Sequence, residues 1–462
     1  MDCRTEKDLL GEKQIPADKY WGIHTQRAIE NFPLSGLGVS RGLIRSLAMV
    51  KKAACLANRE TGYLPADKAT AISAACDEIL EGKFSEAWPL DALQGGAGTS
   101  TNMNLNEVIA NRAIELLGGR KGHYEILHPL EDVNKHQSTN DVYPTAVKIA
   151  AILGFKALSD AVAKLQGAFQ KKEKEFAGIV KIGRTELQAA VPMTLGAEFG
   201  AYAEAFARDR WRTFKCEERL RVLNLGGTAI GTGLGAPQSY IFLIIEKLRE
   251  ITGLGLSRSE NLVDTTANTD PFIEVSGIVK AHASNLIKVA EDLRRMALLG
   301  ELQLAPVQAG SSLMPGKVNP VLLEAVIQAG IQAMANDLVV TETASRSTFQ
   351  INEFMPLLAH ALLGSLELLT NACGIFARCV EALRAVPEVC RYHVDRSEAI
   401  VTAFVPEIGY ENAEALLTEF HASGQKNLRE FLETKLGKDR VAKVLSPQNL
   451  LSLGYKDHGK NT

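Results

Sequence analysis

The sequence predicts a mainly α-helical chain of three domains, built around a central bundle of five long helices. Apolar residues recur at three- and four-residue spacing through roughly 141–172, 190–222, 270–299, 320–345 and 355–385. At about 1.5 Å per residue such spans are roughly 40 Å long, well beyond the average globular helix. Helices of that length bury their apolar stripes by lying side by side, so a bundle follows. Few segments alternate as strands do. In the fourth span Val321, Leu323, Ala325, Val326, Ile327, Ala329, Ile331, Ala333 and Met334 leave little polar surface. A helix apolar almost all round needs cover from outside its own chain, and an oligomer is expected.

The elements order themselves around that bundle. Residues 1–140 hold shorter helical patterns at about 42–60, 66–82 and 104–118, broken by polar loops, and form the first domain. The bundle domain takes 141–389, and a small helical domain takes 390–462, with helices near 411–422 and 426–436. No fixed-period repeat and no low-complexity linker separates them.

Bulk properties narrow the partners. The formal net charge is −3, with no broad basic face, which disfavours nucleic acid and anionic membrane. Met1 to Leu10 is charged and has no signal-peptide core, and no uninterrupted apolar run is long enough for a bilayer. A cytoplasmic protein is expected. Seven widely spaced cysteines do not read as a disulfide framework. Cys55, Cys76, Cys216, Cys373, Cys379 and Cys390 stand in apolar helical contexts and read as core residues. The nine histidines show no ligand spacing, so no metal is expected.

The most informative stretch is Gly310-Ser311-Ser312-Leu313-Met314-Pro315-Gly316-Lys317-Val318-Asn319-Pro320. Gly310 and Gly316 can take backbone angles closed to other residues, which suits a mobile loop. Asn319-Pro320 reads as an N-cap and a first-turn proline. Ser311 or Ser312 offers a base, Lys317 an anion-binding cation and Asn319 a directional amide. These parts suit proton abstraction beside a carboxylate.

Four further polar clusters interrupt the apolar pattern. Gly95 to Asn104 carries hydroxyls and amides after a glycine run, and reads either as a cap for a helix starting near Asn104 or as a donor loop. Asn134 to Asp141 precedes the first long helix, where Ser138, Thr139 and Asn140 add donors to a helix N-terminus. Gly183 to Gln188 reads as the entry to the second long helix, with Thr185 and Glu186 as cap and dipole partner or as site residues. Gly226 to Gly233 lacks the Gly-Lys-Ser/Thr ending of a phosphate loop. Together the clusters supply hydroxyls, amides and helix termini without metal ligands or a nucleotide fingerprint, which favours cofactor-free chemistry on a small polyanion.

Gly310–Pro320 resembles the signature of the aspartase/fumarase superfamily. So do Asp8 to Gly11, Pro16 to Gly22, Gln94 to Asn106, Val133 to Pro144, Lys181 to Gly196 and Asn224 to Leu234, in family order along essentially the whole chain. Gly22 to Phe32, Gly96 to Ser100, Gln137 to Asp141 and Asn224-Leu225-Gly226 are more similar to aspartate ammonia-lyases than to class II fumarases, the alternative reading. A third is an ammonia- or amine-lyase of the same superfamily acting on another amino acid.

The resemblance implies reversible deamination of L-aspartate to fumarate and ammonia through an aci-carboxylate, without cofactor or metal. It implies Ser311 as the base, and Lys317 and Asn319 as groups that hold a substrate carboxylate. Thr99, Ser138, Thr139, Asn140 and Thr185 match the remaining donors around a small dicarboxylate. It also implies a homotetramer whose active sites are shared between subunits. Relatives often have His or Gln where Glu186 stands, and a carboxylate there favours an ammonium or another amine. Met296 to Leu302 lacks the Gly-Pro-Arg stretch common in relatives and is shorter.

Overall fold

A computed structural model describes residues 2–455. The five long helices run over Thr139–Glu175, Leu195–Leu220, Asp270–Leu298, Val321–Ala344 and Met355–Ala382. Their bounds follow the apolar periodicity, with one difference at the second. Residues 188–194 there form a strand, because an apolar run with Pro192 in its middle cannot hold the helical hydrogen-bond ladder.

The chain gathers into two compact units, each made of three segments. One comprises Met1–Ser159, Trp211–Ala283 and Ile331–Thr370; the other Asp160–Arg210, Ser284–Gly330 and Asn371–Thr462. Each long helix contributes residues to both.

The first unit opens with a hairpin, Cys3–Asp8 paired antiparallel with Gly11–Pro16. Helices Ile23–Asn31, Arg41–Glu60, Ala66–Leu80 and Thr99–Leu116 come next, then a π-helical turn at Pro129–Val133. Gly22 gives Ile23–Asn31 no side-chain cap, and two carboxylates from elsewhere replace it. Glu6 accepts from the Ile23 N–H at 2.8 Å. Glu107 accepts from the N–H groups of Gly22 and His24, each at 2.8 Å, and from the Thr25 hydroxyl at 2.5 Å. These bonds satisfy the orphan donors of the first turn. Burial still pushes the Glu107 carboxyl up to about 7, against the pull of Thr25 and Gly22.

The second unit has an aromatic core. The ring of Phe169 lies 5.3 Å from Phe206, 5.6 Å from Phe376 and 5.7 Å from Phe199, centroid to centroid. A second core joins the C-terminal helices through Ile400, Phe404, Leu428, Phe431, Leu432 and Val441, and takes in Ile182 of the strand Val180–Thr185. Against the few strands the sequence predicts, four two-stranded sheets occur among the described residues.

One helix comes nearer to a membrane span than the uninterrupted apolar runs of the sequence suggest. Met355–Ala382 has a mean hydropathy of 1.3 over its most apolar window, of which 56% is buried inside the protein. Burial of that face against neighbouring helices accounts for the composition. Burial also raises the thiols of Cys55 to about 12 and of Cys390 to about 11, which suits core residues.

Candidate active site

Thr99, Ser138, Thr139 and Asn140 stand in the first unit; Thr185, Glu186, Ser311, Lys317 and Asn319 stand in the second.

Within the first unit, three of the polar clusters meet. Helix Thr99–Leu116 begins five residues before Asn104, so Thr99 itself opens it, behind Gly98 in the left-handed region at φ 94°. The Thr99 hydroxyl donates to the Gly96 carbonyl at 2.7 Å. From the next turn, Asn102 Nδ2 donates to Thr139 Oγ1 at 3.1 Å, which leaves the Thr139 hydroxyl hydrogen free to point elsewhere. Asn106 Nδ2 donates to Asn134 Oδ1 at 3.1 Å. Lys51 donates to the same oxygen at 2.9 Å and to Gln137 Oε1 at 2.8 Å. The fourth cluster is fastened by Asp141, whose Oδ2 accepts from the N–H groups of Gly226 and Thr228, both at 3.1 Å, while its Oδ1 accepts from Ser138 N–H at 3.0 Å. Asn140 Nδ2 donates to the Ala229 carbonyl at 2.7 Å.

Lys51 and Asp141 are both fully buried. Burial brings the Lys51 ammonium down to about 7, countered by Asp141, and lifts the Asp141 carboxyl to about 6, countered by the N–H groups around it. Sequence reasoning missed Lys51, Asn102, Asn106 and Asn224 as site supports. The signal for Lys51 was present only in part: Lys51 and Lys52 stand side by side inside the apolar stretch Ala48 to Ala54, and on an amphipathic helix one of the two ammoniums turns inward and needs a buried partner. A cleft lined by Ala97, Asn140, Lys148, Thr265, Asn268 and Asn352 opens beside this network.

The second unit corrects the reading of Gly183 to Gln188. These residues do not enter a helix. Strand Val180–Thr185 pairs antiparallel with Gln188–Thr194, and Thr185 opposes Gln188. Glu186 and Leu187 form the two-residue loop, with φ of 52° and 63°. Both angles are positive, as a type I′ turn requires, yet neither residue is Asn or Gly. Thr185 and Glu186 are exposed at the hairpin tip.

Glu301 fixes the hairpin's base. It is wholly buried, accepts from Arg184 at 2.7 and 3.0 Å, and lies 2.9 Å from His393 Nδ1 and 3.6 Å from Lys181 Nζ. Burial acts to raise its carboxyl, but Arg184 and His393 hold it below the usual glutamate value. Glu301 lies in the stretch 296–302, and that stretch thereby supplies an anchor for the chain leading into the 310–320 loop.

The segment Gly310–Pro320 is a loop, as expected, and its base is closed by Gly310 N–H donating to the Lys317 carbonyl at 2.9 Å. A side chain at 310 would collide with that carbonyl, which is why glycine stands there. Asn319 does not cap the next helix. Its Nδ2 donates back to the Gly310 carbonyl at 2.6 Å, and the helix begins at Val321 behind Pro320. Ser311 Oγ accepts from the backbone N–H of Met314 at 2.8 Å and of Leu313 at 3.1 Å. Lys317 is exposed, with no ion-pair partner among the described residues.

Backbone strain concentrates in the same places. Ala97, His136, Glu186, Leu187 and Thr228 all have positive φ, and they fall in the four polar clusters. Each such angle costs on the order of 1–3 kcal/mol and persists where the surroundings enforce it, commonly at functional sites. Among the described residues no three His, Cys, Asp or Glu side chains gather as a metal-ligand set.

A family model described as lyase matches residues 11–335. The chain is 45% identical to an aspartate ammonia-lyase of Pseudomonas aeruginosa over 97% of each sequence. It superposes on the solved fumarate lyase/δ-crystallin of Brucella melitensis bound to cobalt with a TM-score of 0.93 and 45% identity, covering 98% of this chain and all of that one. A class II fumarase from Schistosoma mansoni gives a TM-score of 0.88 at 30% identity, over 96% of this chain and 98% of that one. The bundle of long helices, the donor-rich loops and these likenesses agree, and the chain belongs to the lyase family of the aspartase/fumarase superfamily.

Proposed function

We propose that this chain is a cytoplasmic carbon–nitrogen lyase that converts L-aspartate reversibly to fumarate and ammonia. The observation that carries the chemistry is the pair of N–H groups, from Leu313 and Met314, aimed at Ser311 Oγ. Donors to an oxygen favour its anionic form, so the hydroxyl is placed to act as a base.

In the proposed reaction Ser311 Oγ takes the Cβ proton of aspartate. The electron pair moves first into the neighbouring carboxylate as an aci-carboxylate, then forms the Cα–Cβ double bond as the C–N bond breaks. Ammonia leaves with the bonding pair and gains the proton released from the serine, giving fumarate and ammonium. Two negative charges on one carboxylate make the first step hard. A donor aimed in advance at such a charge contributes about 3 kcal/mol. Lys317 supplies a cation for it, and Thr99, Ser138, Thr139, Asn140 and Thr185 supply hydroxyls and an amide. Asn319 acts by closing the loop's base, a role its bond to Gly310 supports.

Glu186 favours a second reading for the leaving group. An exposed carboxylate held on a strained turn beside Thr185 suits a cationic amine, so an aspartate bearing a substituent on nitrogen belongs in the same test. The reading includes a homotetramer with shared sites and the domain division 1–140, 141–389 and 390–462. The exposed Ile331 and Leu338 on the helix Val321–Ala344 support an assembly.

The test is the absorbance of product alkene from aspartate, malate and N-substituted aspartates, with wild type and Ser311→Ala. Turnover of aspartate, and its loss by about 10²–10⁴-fold on removing the base, is expected. Malate as the only substrate, or full activity without the Ser311 hydroxyl, overturns the reading. For the shared site, mixing inactive Ser311→Ala with inactive Thr139→Ala chains should regenerate activity; none returns if each chain works alone.

A further inference from the structure

The second unit contains a cavity of about 480 Å³ that the proposed reaction does not use. Two long helices end at its wall, at Glu175 and Ala382. Their last carbonyls give it a partial negative charge, which attracts cations. Lys172, only 5% exposed, is already matched there: its ammonium donates to Glu175 at 2.9 Å and to the Leu383 carbonyl at 2.7 Å. Arg384 and Glu381 also line the cavity, and neither has an ion-pair partner among the described residues. The charges left over are therefore the guanidinium of Arg384 and the carboxylate of Glu381, beside two helix ends. A simple anion would meet Glu381 unfavourably, and a simple cation would meet Arg384. A ligand with both charges satisfies each.

The cavity also touches the loop. Gln303 is paired with Arg384 in a two-residue antiparallel bridge, and the chain runs from it along the cavity wall to Pro306 and then into Gly310–Pro320. We propose that this cavity binds a small α-amino-acid zwitterion, with its carboxylate on Arg384 and its ammonium against Glu381 and the helix ends, and that occupancy restrains the base of the Ser311 loop. The effect on turnover rests on the reading of that loop as catalytic; the binding does not.

The probes are glycine, acetate and methylammonium, titrated calorimetrically into the intact protein with fumarate present in excess. Wild type is compared with Arg384→Ala and Glu381→Gln, both at exposed positions, with folding checked by circular dichroism. Glycine should saturate once per chain, and each substitution should weaken it about tenfold or more. Acetate and methylammonium should each bind at least about tenfold more weakly than glycine. Hydrogen exchange over 304–318 should slow with glycine in the wild type and not in the variants. No saturable glycine binding, equal binding by both variants, or acetate binding as tight as glycine overturns the site. Binding without slowed exchange overturns the link to the loop. Failure of aspartate turnover would instead remove the proposed reaction and leave the calorimetric result standing.

Discussion

The carbonyl oxygen of Asn140 accepts its hydrogen bond from the side chain of Asn224, at 2.9 Å, rather than from the backbone one turn later. Pro144 occupies that later position inside the helix Thr139–Glu175 and has no N–H to give. A proline here frees a carbonyl in the first turn, and a buried amide from a residue 84 positions away takes it. Asn140 is thereby held where its own Nδ2 reaches Ala229. Asn224→Ala should cost about 1–3 kcal/mol, the penalty for a polar group left unmatched. Adding Pro144→Ala restores a backbone donor and should recover part of that loss, read from urea midpoints of the two single variants and the double. A double variant as unstable as Asn224→Ala alone would show that Asn224 acts by some other contact.

Glu301 should be more sensitive. Glu301→Ala leaves Arg184, Lys181 and His393 around a missing charge, and breaking a buried pair in this way costs about 3–5 kcal/mol. Glu301→Gln keeps one acceptor oxygen for Arg184 and fills the same volume, and should lose less. Thermal unfolding measures both, and proteolysis within 304–318 should quicken in the alanine variant. Equal stability of wild type and Glu301→Ala would contradict the anchoring role.

Gly98 is a packing position as well as a turn. Its φ is +94°, and a Cβ there would meet the ring of the buried Tyr143. Gly98→Ala should destabilise by about 1–3 kcal/mol through overpacking alone, and should displace Thr99 and lower turnover. Gly36→Ala is the control, since Gly36 has a φ of +71° but nothing within 4 Å of its added Cβ. If melting temperatures of the two variants coincide, the collision with Tyr143 does not matter.

Glu107 should contribute less stability as pH rises from about 5 to 7.5. Its carboxyl titrates at 4.5 ordinarily and near 7 in the folded chain. Below the lower value both states hold the proton and the contribution is complete. Between the two values the unfolded chain releases its proton first, so stability drains away until the folded carboxyl also ionises. Glu107→Gln removes this titration. Urea midpoints at pH 5 and 7.5 should therefore fall more steeply in wild type than in the variant; parallel slopes would rule Glu107 out as the source.

The helices were legible because their information is local. Each long span repeats its apolar stripe over many turns, so an error of a residue or two at an end does not move it. Ser311, Lys317 and Asn319 were legible as a loop for a similar reason: glycines at both ends, proline after, hydroxyls between. The hairpin was not, because Glu186-Leu187 carries none of the usual residues of a type I′ turn and tertiary contacts impose the positive φ. Ile182 packing into the C-terminal core, and Arg184 paired with the buried Glu301, hold the strands that force it.

By itself, the sequence determined that five long helices form and where the polar loops interrupt them. Only the tertiary structure decided how the polar groups pair: Asn319 with Gly310 instead of a helix end, Thr139 with Asn102, Asp141 with Gly226 and Thr228. An apolar period is written within a few turns of one helix. A buried hydrogen bond depends on which distant donor arrives once water has been excluded, and no local pattern records that.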